Sequence, residues 1–233
     1  MEKHHYPQKK TIVVHSGGMD SSLCLALAIQ EFGADAVLAM SFRYGQRHSV
    51  ELERAAEICQ HFGVDRVELP IDCLNAITSN ALMSSEADMC IENGVPNTLV
   101  VGRNGLMGRL AAIHADHLGA SCIFMGVIEV ESDNSGYRDC SRKYMDRLEG
   151  ILREDLGNPH FAIRTPLVKM TKAQTMQLGH ELGVLSYLLN TSVSCYRGLP
   201  RRGCEDCPAC ELRNQGIAEF LRVNPSVILP YTV

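Results

Sequence analysis

The sequence predicts an α/β protein built on a doubly wound parallel sheet, with a small metal-binding knuckle in its C-terminal part. Three observations predict it. Short β-branched runs alternate with segments of helical period, the pattern of parallel strands joined by crossover helices. Gly33, Gly63, Gly119, Gly157 and Gly183 each follow the last apolar residue of a helical segment, where a left-handed residue closes a helix. Four of the ten cysteines, Cys195, Cys204, Cys207 and Cys210, crowd into one stretch rich in Gly and Pro.

In chain order, strands are expected at 12–15, 36–42, 66–69, 122–127 and 161–164, and helices at 21–32, 49–62, 104–118, 142–156 and 172–182. Residues 1–10 read as a polar tail without the apolar region of a signal peptide. Residues 11–190 form the α/β domain and 191–233 the cysteine-bearing segment. The stretch 75–98 is polar and aperiodic, a long surface loop. With 233 residues, 45% hydrophobic and 21% charged, the chain can bury a substantial core. A net charge of −5 without a basic stripe argues against a nucleic-acid partner. No apolar run is long enough to span a membrane, so the cytoplasm is the expected compartment.

The most informative stretch runs from Thr11 to Ser22. A β-branched strand enters a Ser16-Gly17-Gly18 turn and leaves it as the helix containing Leu23, Cys24 and Leu25. Gly17 and Gly18 allow consecutive backbone N–H groups to converge on an anion, and the helix start adds its positive dipole end. Ser16, Ser21 and Ser22 add hydroxyls. The P-loop and dinucleotide fingerprints are both absent. S-G-G-x-D-S after a strand resembles instead the pyrophosphate loop of enzymes that split ATP to AMP and pyrophosphate. The alternative is a tight turn capped by Asp20.

Ligands of such sheets sit beyond the carboxyl ends of the strands. Three polar clusters fall there: 43–48 with Tyr44, Gln46 and Arg47; 96–104 with Arg103 and Asn104; and 126–139 with Glu129 and Asp139. The terminal cysteines follow C-x8-C-x2-C-x2-C, a spacing for four thiolates around one metal in a segment suited to tight knuckles rather than a helix. Spacing alone leaves zinc and an iron–sulfur cluster both open. Cys24 and Cys122 read as buried inert thiols, and the role of Cys140 stays open.

In this order, the loop, Arg43-Tyr44-Gly45-Gln46-Arg47-His48, Pro96-Asn97-Thr98 with Gly102-Arg103-Asn104, Ser135-Gly136-Tyr137 and the four cysteines resemble the QueC family of 7-cyano-7-deazaguanine synthases. The resemblance implies an adenine nucleotide alpha hydrolase-like, Rossmann-like fold. It implies a homodimer with one structural Zn²⁺ per chain, making 7-cyano-7-deazaguanine from 7-carboxy-7-deazaguanine, ammonia and ATP with Mg²⁺. His15, Ser16, Gly17, Gly18, Met19, Asp20, Ser21, Ser22, Leu23, Cys24 and Leu25 would form the ATP site, Asp20 contacting Mg²⁺. Tyr44, Gln46, Arg47, Arg103, Asn104, Glu129 and Asp139 are candidates for the acid, with Glu129 or Asp139 reading the base.

Three departures cluster around the expected acid site. Val101 replaces the usual proline, residues 130–134 are two longer than usual, and Tyr137-Arg138-Asp139-Cys140-Ser141 stands for Tyr-Pro-Asp-Cys-Arg. They leave open a related enzyme that passes the activated acid to another amine, such as a protein N-terminus. A tRNA thiolase and a zinc-dependent binding module are the remaining alternatives.

Overall fold

In the computed structural model, the structure describes residues 8–45, 50–78, 91–92, 95–97, 99–129 and 137–231. Five parallel strands form the main sheet: β1 (Thr11–Val14), β2 (Val37–Arg43), β3 (Asp65–Pro70), β6 (Cys122–Met125) and β7 (Ala162–Arg164), in the order β3-β2-β1-β6-β7. Between them lie α1 (Met19–Phe32), α2 (Val50–Phe62), the short α3 (Cys73–Ile77), α4 (Arg103–Leu118) and α5 (Arg142–Asp155). A hairpin of β4 (Ile91–Glu92) and β5 (Val95–Pro96) stands apart. After β7 come α6 (Lys172–Glu181), α7 (Leu185–Thr191) and α8 (Pro208–Val223).

Alternation along the strands divides the core in two. Ile12, Leu38, Met40, Phe42, Ile123 and Met125 face α4 and α5 on one side. Val13, Val37, Ala39, Cys122 and Phe124 face the side covered by α1, α2 and α6–α8. The inner strands β1, β2 and β6 are buried on both faces and read as nearly continuous apolar runs, whereas the edge strand β3 is largely exposed and carries Asp65, Arg66 and Glu68. Full burial of each such Ile, Leu or Phe stabilises the fold by roughly 1.5–3 kcal/mol.

Gly33, Gly63, Gly119, Gly157 and Gly183 all have positive φ, as the sequence predicts for helix ends. Two boundaries move for physical reasons. The strand expected to run to 127 stops at Met125, because Gly126 leaves the sheet and its backbone presses on the start of α1. A Cβ at Gly126 would lie 2.8 Å from the Ser21 nitrogen. Helix α1 starts at Met19, two residues before the expected 21, with the extended Gly18 as its N-cap.

A larger correction concerns the cysteine stretch. Expected to hold only knuckles, it opens into α8, whose first residue is Pro208, where a missing N–H costs nothing. Its Ile217 and Phe220 are part of the second core cluster. Helix α7 is likewise additional to the expected elements. The stretch 75–98 begins within α3 and includes the small hairpin; most of it lies outside the described residues, as do Gln46, Arg47 and 130–136. Among the described residues no helix is long and apolar enough to cross a membrane.

Candidate active site

The strand order reverses direction at β1, so the loops after β1 and β6 part to leave a crevice at the carboxyl edge of the sheet. The Ser-Gly-Gly turn lies there. Gly17 has φ +85°, and a Cβ on it would come within 2.2 Å of the Glu51 carbonyl oxygen in the first turn of α2. Only glycine allows that approach. From the other side, Val193 donates its N–H to the Gly17 carbonyl at 3.3 Å, pinning the segment after α7 to the loop.

The serines hold the loop's own shape. Ser21 Oγ accepts the Ser16 N–H and donates to the Gly18 carbonyl at 3.0 Å, while the Ser16 and Ser21 hydroxyls stand 3.1 Å apart. Ser22 donates to the same carbonyl at 2.8 Å. Its oxygen therefore accepts from His15 Nε2–H at 3.0 Å, leaving His15 Nδ1 to accept from the Cys59 thiol at 3.6 Å. Burial, aided by the charge of Arg66, pulls His15 down to about 3, so the ring is neutral. Burial pushes the Cys59 thiol up to about 12, keeping its proton in place.

Asp20, in the first turn of α1, is the charged residue of the loop. Its Oδ2 accepts from Lys172 Nζ at 2.7 Å, whereas Oδ1 is buried with no protein partner. Lys172 is the first residue of α6, set there by a capping box between Thr171 and Gln174. Gly216 of α8 leaves room for it: a Cβ at 216 would lie 2.4 Å from the Lys172 Cβ.

A second group of side chains forms around the start of α4, after the left-handed Gly102. Arg103 donates to the Tyr44 hydroxyl at 3.1 Å, its guanidinium lying 5.6 Å from that ring's centre. Tyr44, then Asp139, Glu51 and Cys140, all hold Arg103 firmly in its charged form. Asp139 is buried and accepts the Asn104 N–H at 3.0 Å, a carboxylate on a helix N-terminus. Asn104 Nδ2 donates to Cys140 Sγ at 3.4 Å. Burial, and next the charge of Asp139, push the Cys140 thiol up to about 12, so it stays protonated. Glu51 is half-buried beside Arg103; burial outweighs that cation and raises its carboxyl to about 7.

The four cysteine sulfurs lie within 4.8 Å of one another, so they could hold one metal ion. Cys204 Sγ accepts the Cys207 N–H at 3.3 Å and Cys195 Sγ the Arg197 N–H at 3.4 Å, the donors expected around bound thiolates. Beside Cys195, Tyr196 is hydrogen-bonded to Tyr137, joining this knuckle to the segment before α5.

The family model described as "Queuosine biosynthesis protein QueC" matches residues 10–221. The chain belongs to the QueC family. Its family places it in queuosine biosynthesis as a nucleotide-using, ATP-dependent enzyme. Two solved structures are among those similar to this chain. NMN synthetase from Francisella tularensis shares 15% identity over 98% of this chain and 90% of that one, with a TM-score of 0.49. The U34-tRNA thiolase NcsA from Methanococcus maripaludis, solved with its [4Fe-4S] cluster, shares 13% identity over 97% and 76%, with a TM-score of 0.48.

Against the QueC motifs, the structure brings Tyr44, Arg103, Asn104 and Asp139 together. Glu129 is differently engaged: its Oε2 takes Lys169 Nζ at 2.6 Å and the Arg142 N–H at 3.2 Å. The Lys169 hydrogen bond, then that N–H, hold its carboxyl below the usual range. Met19, Leu23, Cys24 and Leu25 are buried in the core behind the loop and support it from beneath. Val101, the departure from the family's proline, is 86% exposed and points to solvent. Sequence reading missed Lys172 and Glu51. The Thr171-to-Gln174 capping box marks a helix start just past a strand and could have flagged Lys172. Glu51 carries no local signal.

Proposed function

We propose that the chain converts 7-carboxy-7-deazaguanine and ammonia to 7-cyano-7-deazaguanine, at the expense of ATP. One observation carries the reading. The glycine turn with Asp20 and Lys172 lies beside Arg103 and Tyr44 through the first turn of α2, so a phosphate end and a carboxylate end share one crevice.

The backbone donors of Ser16 to Gly18 and the α1 dipole receive the leaving pyrophosphate, and Lys172 adds a cation where its charge grows. The orphaned, buried Asp20 Oδ1 fits a Mg²⁺ contact. Mg²⁺, when bound, neutralises phosphate charge. Arg103, fixed by Tyr44 and Asp139, orients the acid. The carboxylate attacks the α-phosphorus and pyrophosphate leaves; ammonia then forms the C–N bond, AMP departs with the C–O electron pair and one ammonia proton passes to water. The amide oxygen attacks the α-phosphorus of a second ATP, releasing pyrophosphate and one N–H proton; AMP then leaves with the C–O electron pair as the last N–H proton is lost, giving the nitrile. Asp139 is already turned to Asn104 and Arg103, so it positions the acid site rather than reading the base.

The knuckle would hold Zn²⁺: four thiolates close a tetrahedral site with no open position, a structural centre. Thiolates kept free of disulfides suit the reducing cytoplasm, and the working form is a homodimer. The test supplies the protein with ATP, Mg²⁺, ammonium and 7-carboxy-7-deazaguanine and reads products by mass. The nitrile is expected. ATP cleavage without it, with the acid appearing on another amine, would reassign the chain to acyl transfer, and the lengthened 130–134 segment would then be where the acceptor differs.

A further inference from the structure

Arg213, in the second turn of α8, is a buried cation beside the cysteine knuckle. Cys210 stands three residues earlier on the same helix, so the two side chains share a face. One Nη of Arg213 donates to the Arg202 carbonyl within the knuckle and to Asn214 Oδ1 at 3.0 Å; Nε donates to that same amide oxygen at 3.2 Å. Both acceptors are neutral. The half-exposed Arg197 and Arg202 of the knuckle pair with Asp206 and Glu205, whereas Arg213 makes no ion pair with a carboxylate among the described residues. A buried cation without a counter-charge is strongly disfavoured.

Gly203 shows where the counter-charge lies. Its φ is +68°, and a Cβ there would come within 2.4 Å of Cys210 Sγ, 3.1 Å of Cys195 Cβ and 3.3 Å of Arg213 Nη2. The sulfur and the guanidinium therefore border one small space that glycine keeps open. We propose that Arg213 is the counter-cation of the metal centre, retaining the metal by offsetting the charge of its thiolates. Four thiolates around a dication make a dianion, and one guanidinium halves that charge. The backbone donors on Cys204 and Cys195 are neutral, so they orient the sulfurs without balancing them. Arg213 supplies what they lack. A plain tie between α8 and the Arg202 carbonyl would need the donors of Arg213 and not its charge.

This assignment rests on the knuckle holding Zn²⁺, and the experiment separates the two. Full-length unmodified protein, Arg213→Gln and Arg213→Lys are loaded with Zn²⁺. The zinc dissociation constant is read at one pH by competition with a chromophoric chelator, and urea midpoints in excess Zn²⁺ check the fold. Arg213→Gln, which keeps an N–H donor without the charge, should bind zinc ~10–100-fold more weakly, the usual effect of losing a group that supports metal ligands. Arg213→Lys, which keeps the charge without the planar fork, should bind nearly as tightly as the unmodified protein. Unchanged affinity in Arg213→Gln overturns the counter-cation, and so does an equal loss in both variants, which marks a hydrogen-bonding tie. No zinc on the unmodified protein overturns the zinc centre and the role of Arg213 together. If Arg213→Gln does not fold, Arg213→Lys decides: undiminished affinity supports the charge, and a loss of ~10-fold or more overturns it.

Discussion

Lys172 and Asp20, 152 positions apart in the chain, meet Nζ to Oδ2 at 2.7 Å at the lip of the phosphate loop. The pair holds the aspartate in one rotamer, with its other oxygen buried and unpartnered. Asp20→Asn keeps the volume and removes the charge. Pyrophosphate release should fall by ~10²–10³-fold, the usual effect of deleting one preorganised electrostatic contact. Lys172→Ala should fall in the same direction. Wild-type pyrophosphate release by either variant would remove the pair from catalysis.

Arg103 offers a different signature. Arg103→Lys keeps a cation but loses the planar fork that reaches Tyr44 and a carboxylate together. The KM for the acid should rise by ~10-fold or more, about 1.4 kcal/mol, with the KM for ATP little changed. Steady-state kinetics with each substrate varied would show it. A rise confined to ATP would move Arg103 to the nucleotide side.

The knuckle predicts one Zn²⁺ per chain and a colourless protein; visible absorption from iron would overturn zinc. Cys207→Ser should lower stability by several kcal/mol, because metal binding at such a site is part of folding, where free energies of ~10 kcal/mol are common. Thermal melts and metal analysis of the variant, read together, check it. A metal-free, fully stable variant would refute the structural role.

His15 makes acid sensitivity testable. Its ring ionises near 6.5 when unfolded and about 3 when folded. Between those values the unfolded chain binds the extra proton, so the contribution is fully present above pH 6.5 and is lost as pH falls toward 3. Once complete, the loss can reach ~5 kcal/mol. In His15→Gln, urea midpoints measured from pH 7 to pH 4 should decline less steeply than in the unmodified protein. Parallel declines would show that His15 does not contribute.

Most of the scaffold was legible because its signals are local. Val13 and Val14 mark a strand by β-branching, and Gly119 marks a helix end because only glycine takes its left-handed backbone cheaply. The phosphate loop was legible for the same reason. What stayed hidden depends on tertiary meetings. Lys172 and Glu51 are ordinary first-turn residues until α6 and α2 pack against the loop. Pro208 looked like part of a knuckle turn, yet a proline is equally at home opening a helix, and burial of Ile217 and Phe220 decides for the helix. Glu129 looked free to read a base because Lys169 lies 40 positions away.

Gly216 sets thermal robustness against turnover. A glycine inside a helix costs about 1 kcal/mol relative to alanine, so a stabilisation campaign would choose it early. Yet the added methyl would collide with the stem of Lys172. Gly216→Ala would strengthen α8 in isolation while displacing the ammonium that meets Asp20. Heat-challenge screens that score only survival could therefore enrich a better-folded and poorer enzyme.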